Sequence, residues 1–304
     1  MFTSILKPWF YYRPSQAFRR ALSIAWPPRP EPGRLPTAWG GTLIANPTHS
    51  RGLAIHNTGI YDLAASEAIV RLVEPGDTVV DGGANIGYMS VLAGYVAGHA
   101  GTVISFEPHP GLFCCLRDNT ELANQSAGCA RFTIRQEALG PAPGKSWLNI
   151  PANFDRNDGL ATLLPSNDLC TTRFEVVVTT LDEALAERQV VLLKLDIEGY
   201  EAEALKGAAC ALGAGRIRNV LFEDHALGQG DAADILIRYG YEIFSLGWSL
   251  YKPLVQPISH GVLAKDYEAP NFIATLDSGR LRERFRPTGW KVLTTLTKKP
   301  LTDR

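Results

Sequence analysis

"VVDGGANIGYMS", residues 79–90, decides how the rest of the chain is read. A short apolar run ends on an acid, Asp81, then enters a glycine-rich turn and the start of an amphipathic segment. A strand that passes through such a turn into a helix is the first half of a βαβ unit. Ligands of open α/β sheets bind where that strand ends.

Working outward, the alternation continues. "TVVDGG" is a strand, residues from about 85 to 97 a helix, "TVISFEP" a strand, residues from about 110 to 124 a helix, and "FTIRQEAL" a strand. Ile86, Met89, Leu92, Ala93 and Val96 recur at helical spacing, as do Leu112, Phe113, Leu116 and Ala123. Strands alternating with helices imply crossovers and a parallel sheet. "VVLLKLDI" and "NVLFEDH" extend the sheet with a helix between them, and "ADILIRYGYEIFSL" with "NFIATL" adds a helix and two strands. Upstream, residues 41–62 read as a small β-structured lead-in, and residues 145–173 as a loop or hairpin near the site.

Dinucleotides and S-adenosylmethionine both use a glycine turn of this kind. Gly82, Ala84 and Gly87 satisfy a relaxed GxAxxG, so a nicotinamide-dependent oxidoreductase is one reading. Asp81 opposes it, because a carboxylate about 4 Å from a pyrophosphate costs roughly 4 kcal/mol at an effective dielectric near 20. The same carboxylate suits a ligand carrying an ammonium and a sulfonium. Glu107, at the next strand end, can accept both hydrogen bonds of a ribose diol in either class. Glu137 and Ala138, at the third strand end, suit an adenine; an exposed strand-end acid is the plainer account of Glu137.

Composition bounds the alternatives. The 304 residues carry a formal net charge of −1, which gives no whole-molecule case for nucleic acid. Five cysteines without a CxxC pair read as reduced thiols, and a soluble, cytoplasmic protein is expected. Residues 1–40 form an aromatic, basic arm and a proline-rich linker, "WPPRPEPGRLP". A helix packed on the domain is the simpler reading of the arm, and peripheral membrane contact the alternative it permits. Residues 41–280 are expected as the main domain and residues 281–304 as a basic extension.

Several stretches together resemble the FkbM family of S-adenosylmethionine-dependent methyltransferases. They are residues 75–90 and 101–110, "LRDNTELAN" (116–124), "EALG" (137–140), "TTLDEAL" (179–185) and, most specifically, "LLKLDIEGYEAEALKGA" (192–208). The resemblance implies a class I methyltransferase Rossmann-like fold: an α/β architecture with a mostly parallel seven-stranded sheet flanked by helices, its last strand antiparallel. It implies O-methylation of a sugar, glycolipid or secondary metabolite. Cofactor contacts would fall on Asp81, Gly82, Gly83, Asn85, Gly87 and Glu107, with Glu137 and Ala138 beside them. Where such sequences often carry a G-x-Y-E turn, this chain has "NTGIYD" (57–62), with Asp62 in place of Glu.

A hydroxyl nucleophile needs a proton acceptor. Asp196, after "LLKL", is the first candidate; His225, in "LFEDH", is the second because its ordinary pKa lies near neutrality. Lys194, a charge in an apolar strand, demands a partner and is either catalytic or bridged to a neighbouring acid. Glu198 and Glu201 can cap the following helix or shape the site, Glu223 joins them from the next strand, and Asn157 in "NFDRNDGLATL" (153–163) can reach the acceptor. Asp196, Glu223 and Asp224 are of a type that holds Mg²⁺ in some O-methyltransferases; the reading adopted has no metal. The non-enzymatic alternative is a cofactor-binding scaffold of the same fold.

Overall fold

The apolar runs that bracket the glycine loop form the centre of an eight-stranded sheet. In the computed structural model the described residues are 7–13, 22, 26, 31–125, 128–151, 161–164, 170–263, 270–294 and 296. Helix α1 (Pro8–Tyr12) precedes a hairpin of β1 (Gly33–Pro36) and β2 (Thr42–Ala45), followed by α2 (Ser50–Thr58) and α3 (Leu63–Leu72). Then come β3 (Thr78–Gly82), α4 (Tyr88–Ala97), β4 (Thr102–Phe106), α5 (Pro110–Asn124) and β5 (Arg131–Arg135). A second sheet follows, in which β6 (Ala138–Leu139) pairs in parallel and β7 (Gly144–Pro151) antiparallel with the long β8 (Cys170–Thr179). The chain re-enters the main sheet through α6 (Leu181–Leu185), β9 (Val190–Leu195), α7 (Glu201–Lys206), α8 (Ala209–Gly213) and β10 (Ile217–Glu223). It finishes with α9 (Asp231–Arg238), β11 (Glu242–Trp248), β12 (Pro253–Pro257), β13 (Asn271–Thr275) and α10 (Ser278–Phe285).

The main sheet has the order β12-β11-β13-β10-β9-β3-β4-β5. From β10 to β5 every pairing is parallel, while β13 is antiparallel to both neighbours. This is the expected mostly parallel sheet whose last strand is antiparallel. The eighth strand, β12, is an addition to the seven expected; Pro253 and Pro257 bound it, and an edge position tolerates proline because one side of the strand needs no donors. All six residues of β9 are buried, as a strand covered on both faces requires.

The lead-in differs from expectation. Residues 50–58 are helical because Arg51, Gly52 and Ile55 bury one face of a turn, and Gly52 lies so close to the Asn46 carbonyl that a Cβ would sit 1.9 Å from that oxygen. The expected boundary at 280 also falls inside α10. Leu281, Phe285, Trp290, Val292 and Leu293 are buried, so the C-terminal segment completes the core as far as 293. It is tied to α3 by the buried pair Glu67–Arg71 at 2.7 Å. Arg71 donates to the carbonyls of Arg284, Pro287 and Gly289, and Glu67 accepts from the amides of Lys291 and Val292. Among the described residues, no helix is long and apolar enough to cross a membrane.

Candidate active site

The loop after β3 is held in an unusual backbone shape. Gly83, Asn85 and Gly87 all have positive φ, at 72°, 53° and 88°. A Cβ on Gly83 would lie 2.0 Å from the Asp196 carbonyl oxygen, so only glycine fits there. Asn85 tolerates the left-handed region by accepting a hydrogen bond on Oδ1 from the Ile86 amide at 2.8 Å. Glu107, at the end of β4, closes the arrangement: its Oε2 accepts from the Asn85 amide at 2.8 Å and its Oε1 from the His109 amide at 2.9 Å. Burial pushes the Glu107 carboxyl up to about 7, against the pull of those two amides.

Beneath the loop lies Lys194. Its Nζ donates to the Gly83 carbonyl at 2.9 Å and sits 3.1 Å from Asp81 Oδ1 and 3.6 Å from Asp196 Oδ2. Burial works against its charge, but the two carboxylates outweigh that cost and hold the ammonium above its ordinary range. A lysine so held is a poor proton acceptor, and the bridge to neighbouring acids is the role its position supports. Asp81 is correspondingly covered, at 1% exposure, with Oδ2 accepting from Ser90 Oγ at 2.6 Å. It therefore lies under the loop, with its charge paired to Lys194.

Two cavities meet at Asp196. The first, about 580 Å³ including its open mouth, is lined by Gly83, Asn85 and Glu107 from the first two strand ends, by Glu137 and Ala138 from the third, and by Asp196, Glu198 and Tyr200. The second, about 1400 Å³ including its mouth, is bounded by Tyr61, Asp62, Lys194, Asp196, Glu223 and Trp248, among others. Gly82 and Gly87 shape the loop from behind; a Cβ on either would come within 2.9 Å of Leu195 or Leu116, respectively. Glu201 turns back onto its own loop, accepting from the Ile197 and Gly199 amides at 2.9 and 3.3 Å. Glu198 is pushed up to about 7 by burial and the adjacent Asp196 charge, and Glu223 to about 8 by burial and the same neighbour. His225 lines neither cavity. Its ring is largely exposed and pairs with Glu223 at 3.1 Å. Asn157 lies outside the described residues.

Residues 81–243, more than half of the chain, match the methyltransferase FkbM domain. The chain belongs to the FkbM methyltransferase family. Among relatives, it is 30% identical over 147 residues to "Methyltransferase 1" of Beauveria bassiana, covering 42% of this chain and 57% of that protein. It is 29% identical over 199 residues to the 31-O-demethyl-FK506 methyltransferase FkbM of Streptomyces tacrolimicus, covering 56% of this chain and 75% of the relative. A crystal structure of methyltransferase FkbM from Methylobacillus flagellatus aligns with a TM-score of 0.39 at 17% identity, over 73% of this chain and 52% of the other. The chain thus spans little more than half of the Beauveria and Methylobacillus proteins.

FkbM membership makes S-adenosyl-L-methionine the cofactor, and the first cavity fits it. Glu107 still has lone pairs for a ribose diol, Ala138 and Leu139 offer a small apolar wall, and Gly83 leaves no side chain in the cradle. One lining residue was not legible in the sequence. Arg51 of α2 is 7% exposed, is the one cation among the described residues lining this cavity, and stacks its guanidinium 5.1 Å from the Tyr61 ring centroid. It stands some thirty residues before the glycine loop on an unremarked helix, with no motif or spacing to single it out.

Proposed function

We propose that this S-adenosylmethionine-dependent methyltransferase acts on a hydroxyl oxygen of a sugar, glycolipid or secondary-metabolite acceptor, with Asp196 as general base. The observation that carries the reading is the position of Asp196, which lines both cavities. The Streptomyces relative's name, which describes an O-demethylated acceptor, supports oxygen as the receiving atom.

When bound, S-adenosylmethionine supplies a methyl carbon activated by its sulfonium. The residues of the chain supply the rest. Glu107 would take the ribose hydroxyls, Glu137 and Ala138 the adenine, and Arg51 the single carboxylate. The loop backbone at Gly83 and Asn85, held in shape by their amides' hydrogen bonds to the Phe106 carbonyl and to Glu107, fixes the approach. Lys194 ties the loop carbonyls to Asp81 and Asp196, so that the base and the cofactor cradle keep one geometry. In-line transfer requires the acceptor oxygen at about 3 to 3.5 Å from its target, with water excluded. Asp196 then removes the hydroxyl proton as the oxygen attacks.

Titration of the purified chain with S-adenosylmethionine, S-adenosylhomocysteine and NAD tests the first part, and transfer of labelled methyl to hydroxylated acceptors the second. Binding of the adenosyl ligands together with label on oxygen is expected. Label on nitrogen alone would overturn the oxygen assignment, and adenosyl binding with no transfer to any acceptor would favour a scaffold.

A further inference from the structure

The second cavity has a chemistry of its own. Three carboxyl groups line it: Asp62, Asp196 and Glu223. Its one lining cation among the described residues, Lys194, is already held between Asp81 and Asp196, and Arg51 lines the other chamber. The remaining wall is apolar and aromatic: Met89, Leu221, Leu246, Leu263 and the indoles of Trp9 and Trp248. These two rings lie 6.4 Å apart at 46°, one from α1 and the other from the end of β11. In the same lining Asp62 accepts from Asn271 Nδ2 at 2.9 Å, which gives the chamber a polar donor–acceptor pair as well as the indoles.

We infer that the acceptor is an uncharged hydroxylated ring compound bearing an apolar appendage, seated against Trp9 and Trp248, and that anionic acceptors are rejected. The inference rests on the methyltransferase reading above and narrows its substrate class. An anion entering this chamber meets the Asp62 and Asp196 carboxylates, and its one lining cation among the described residues, Lys194, is already held between Asp81 and Asp196, so the repulsion is large before screening. The crowding of negative charge is visible in Glu223, which is held protonated above its usual range by burial and by Asp196. An uncharged ring meets no such penalty. Its C–H face can pack on an indole, its hydroxyls can reach Asp62 and Asn271, and an alkyl appendage gains from the leucine wall. The N-terminal arm is on this view a wall of the acceptor site: Trp9 packs against the main core and reaches it from outside the matched family region.

The test compares two probes that differ in a single carboxylate, octyl β-D-glucopyranoside below its critical micelle concentration and octyl β-D-glucuronide, titrated into the full chain saturated with S-adenosylhomocysteine. The glucoside is expected to bind roughly tenfold tighter than the glucuronide. Trp9→Ala and Trp248→Ala should weaken the glucoside by about tenfold while leaving S-adenosylhomocysteine affinity unchanged, with Trp9→Phe and Trp248→Phe restoring most of it. Above about pH 8, where the native Glu223 carboxyl is ionised, Glu223→Gln should narrow the gap between the probes. Equal or tighter binding of the glucuronide, binding of neither probe, or indole variants that bind the glucoside normally would each overturn the inference. Failure of S-adenosylhomocysteine itself to bind would instead overturn the cofactor assignment, so the two failures are distinguishable.

Discussion

Asp196 is distinguished from its acidic neighbours by where it stands, with one chamber on either side. Asp196→Asn keeps the shape and removes the proposed proton acceptor, so turnover should fall about a hundredfold or more while cofactor affinity stays nearly constant. Single-turnover kinetics beside a binding titration would show the split. Glu107 makes the opposite prediction. Glu107→Gln should weaken S-adenosylhomocysteine by about 10-fold to 100-fold, since hydrogen bonds to a charged acceptor are lost. Because the free Glu107 carboxyl sits near 7, a ribose diol that prefers the ionised form must displace a proton below that value. Affinity should therefore decline as pH falls from about 8 to about 6, with proton release detectable by calorimetry in buffers of different ionisation enthalpy. At Gly83, alanine would push a methyl group into the Asp196 carbonyl at a backbone angle that disfavours it, and cofactor binding should be lost.

At the scale of elements, α3 and the C-terminal segment stand or fall together. The Glu67–Arg71 pair is fully covered and satisfies five backbone groups between residues 284 and 292. Glu67→Ala leaves a buried guanidinium uncompensated and should cost about 3–5 kcal/mol, whereas removing both charges with Glu67→Leu and Arg71→Met should cost less than the single change. Urea midpoints of the three chains decide this. The pattern of the α/β core was legible because β3, β4, β9 and β10 are apolar runs ending in acids, and helical periodicity marks α4 and α5. What escaped was written in weaker code. Residues 50–58, "SRGLAIHNT", contain poor helix formers and Gly52, and become a helix only through tertiary packing. Strand β12 has prolines at both ends, and the core residues Trp290, Val292 and Leu293 hide among lysines, arginines and threonines. For Asp81, the sequence shows that an acid ends the strand but not that Lys194 reaches it from the strand beside it.

For the molecule as a whole, a formal net charge of −1 conceals a local excess. Glu107, Glu198 and Glu223 gather at the carboxyl end of the sheet, and burial lifts their carboxyls to about 7, 7 and 8 from an ordinary 4.5. A carboxyl raised on folding contributes stability that is complete below its unfolded pKa and is lost as pH rises through its folded one. The unliganded protein should therefore melt at a higher temperature near about pH 6 than near about pH 9, and Glu223→Gln should flatten the difference; scanning calorimetry across that range checks both. The division of labour between the two chambers has a further bearing, on how such a protein changes over evolutionary time. Gly83, Lys194 and Asp196 are locked to one another by backbone contact and ion pairs, whereas the opposite wall of the second chamber comes from α1, the end of β11 and Leu263. Exchanges at Trp9, Leu246 or Leu263 leave the locked set untouched, so new acceptors can be acquired by drift in one wall while the chemistry is inherited intact.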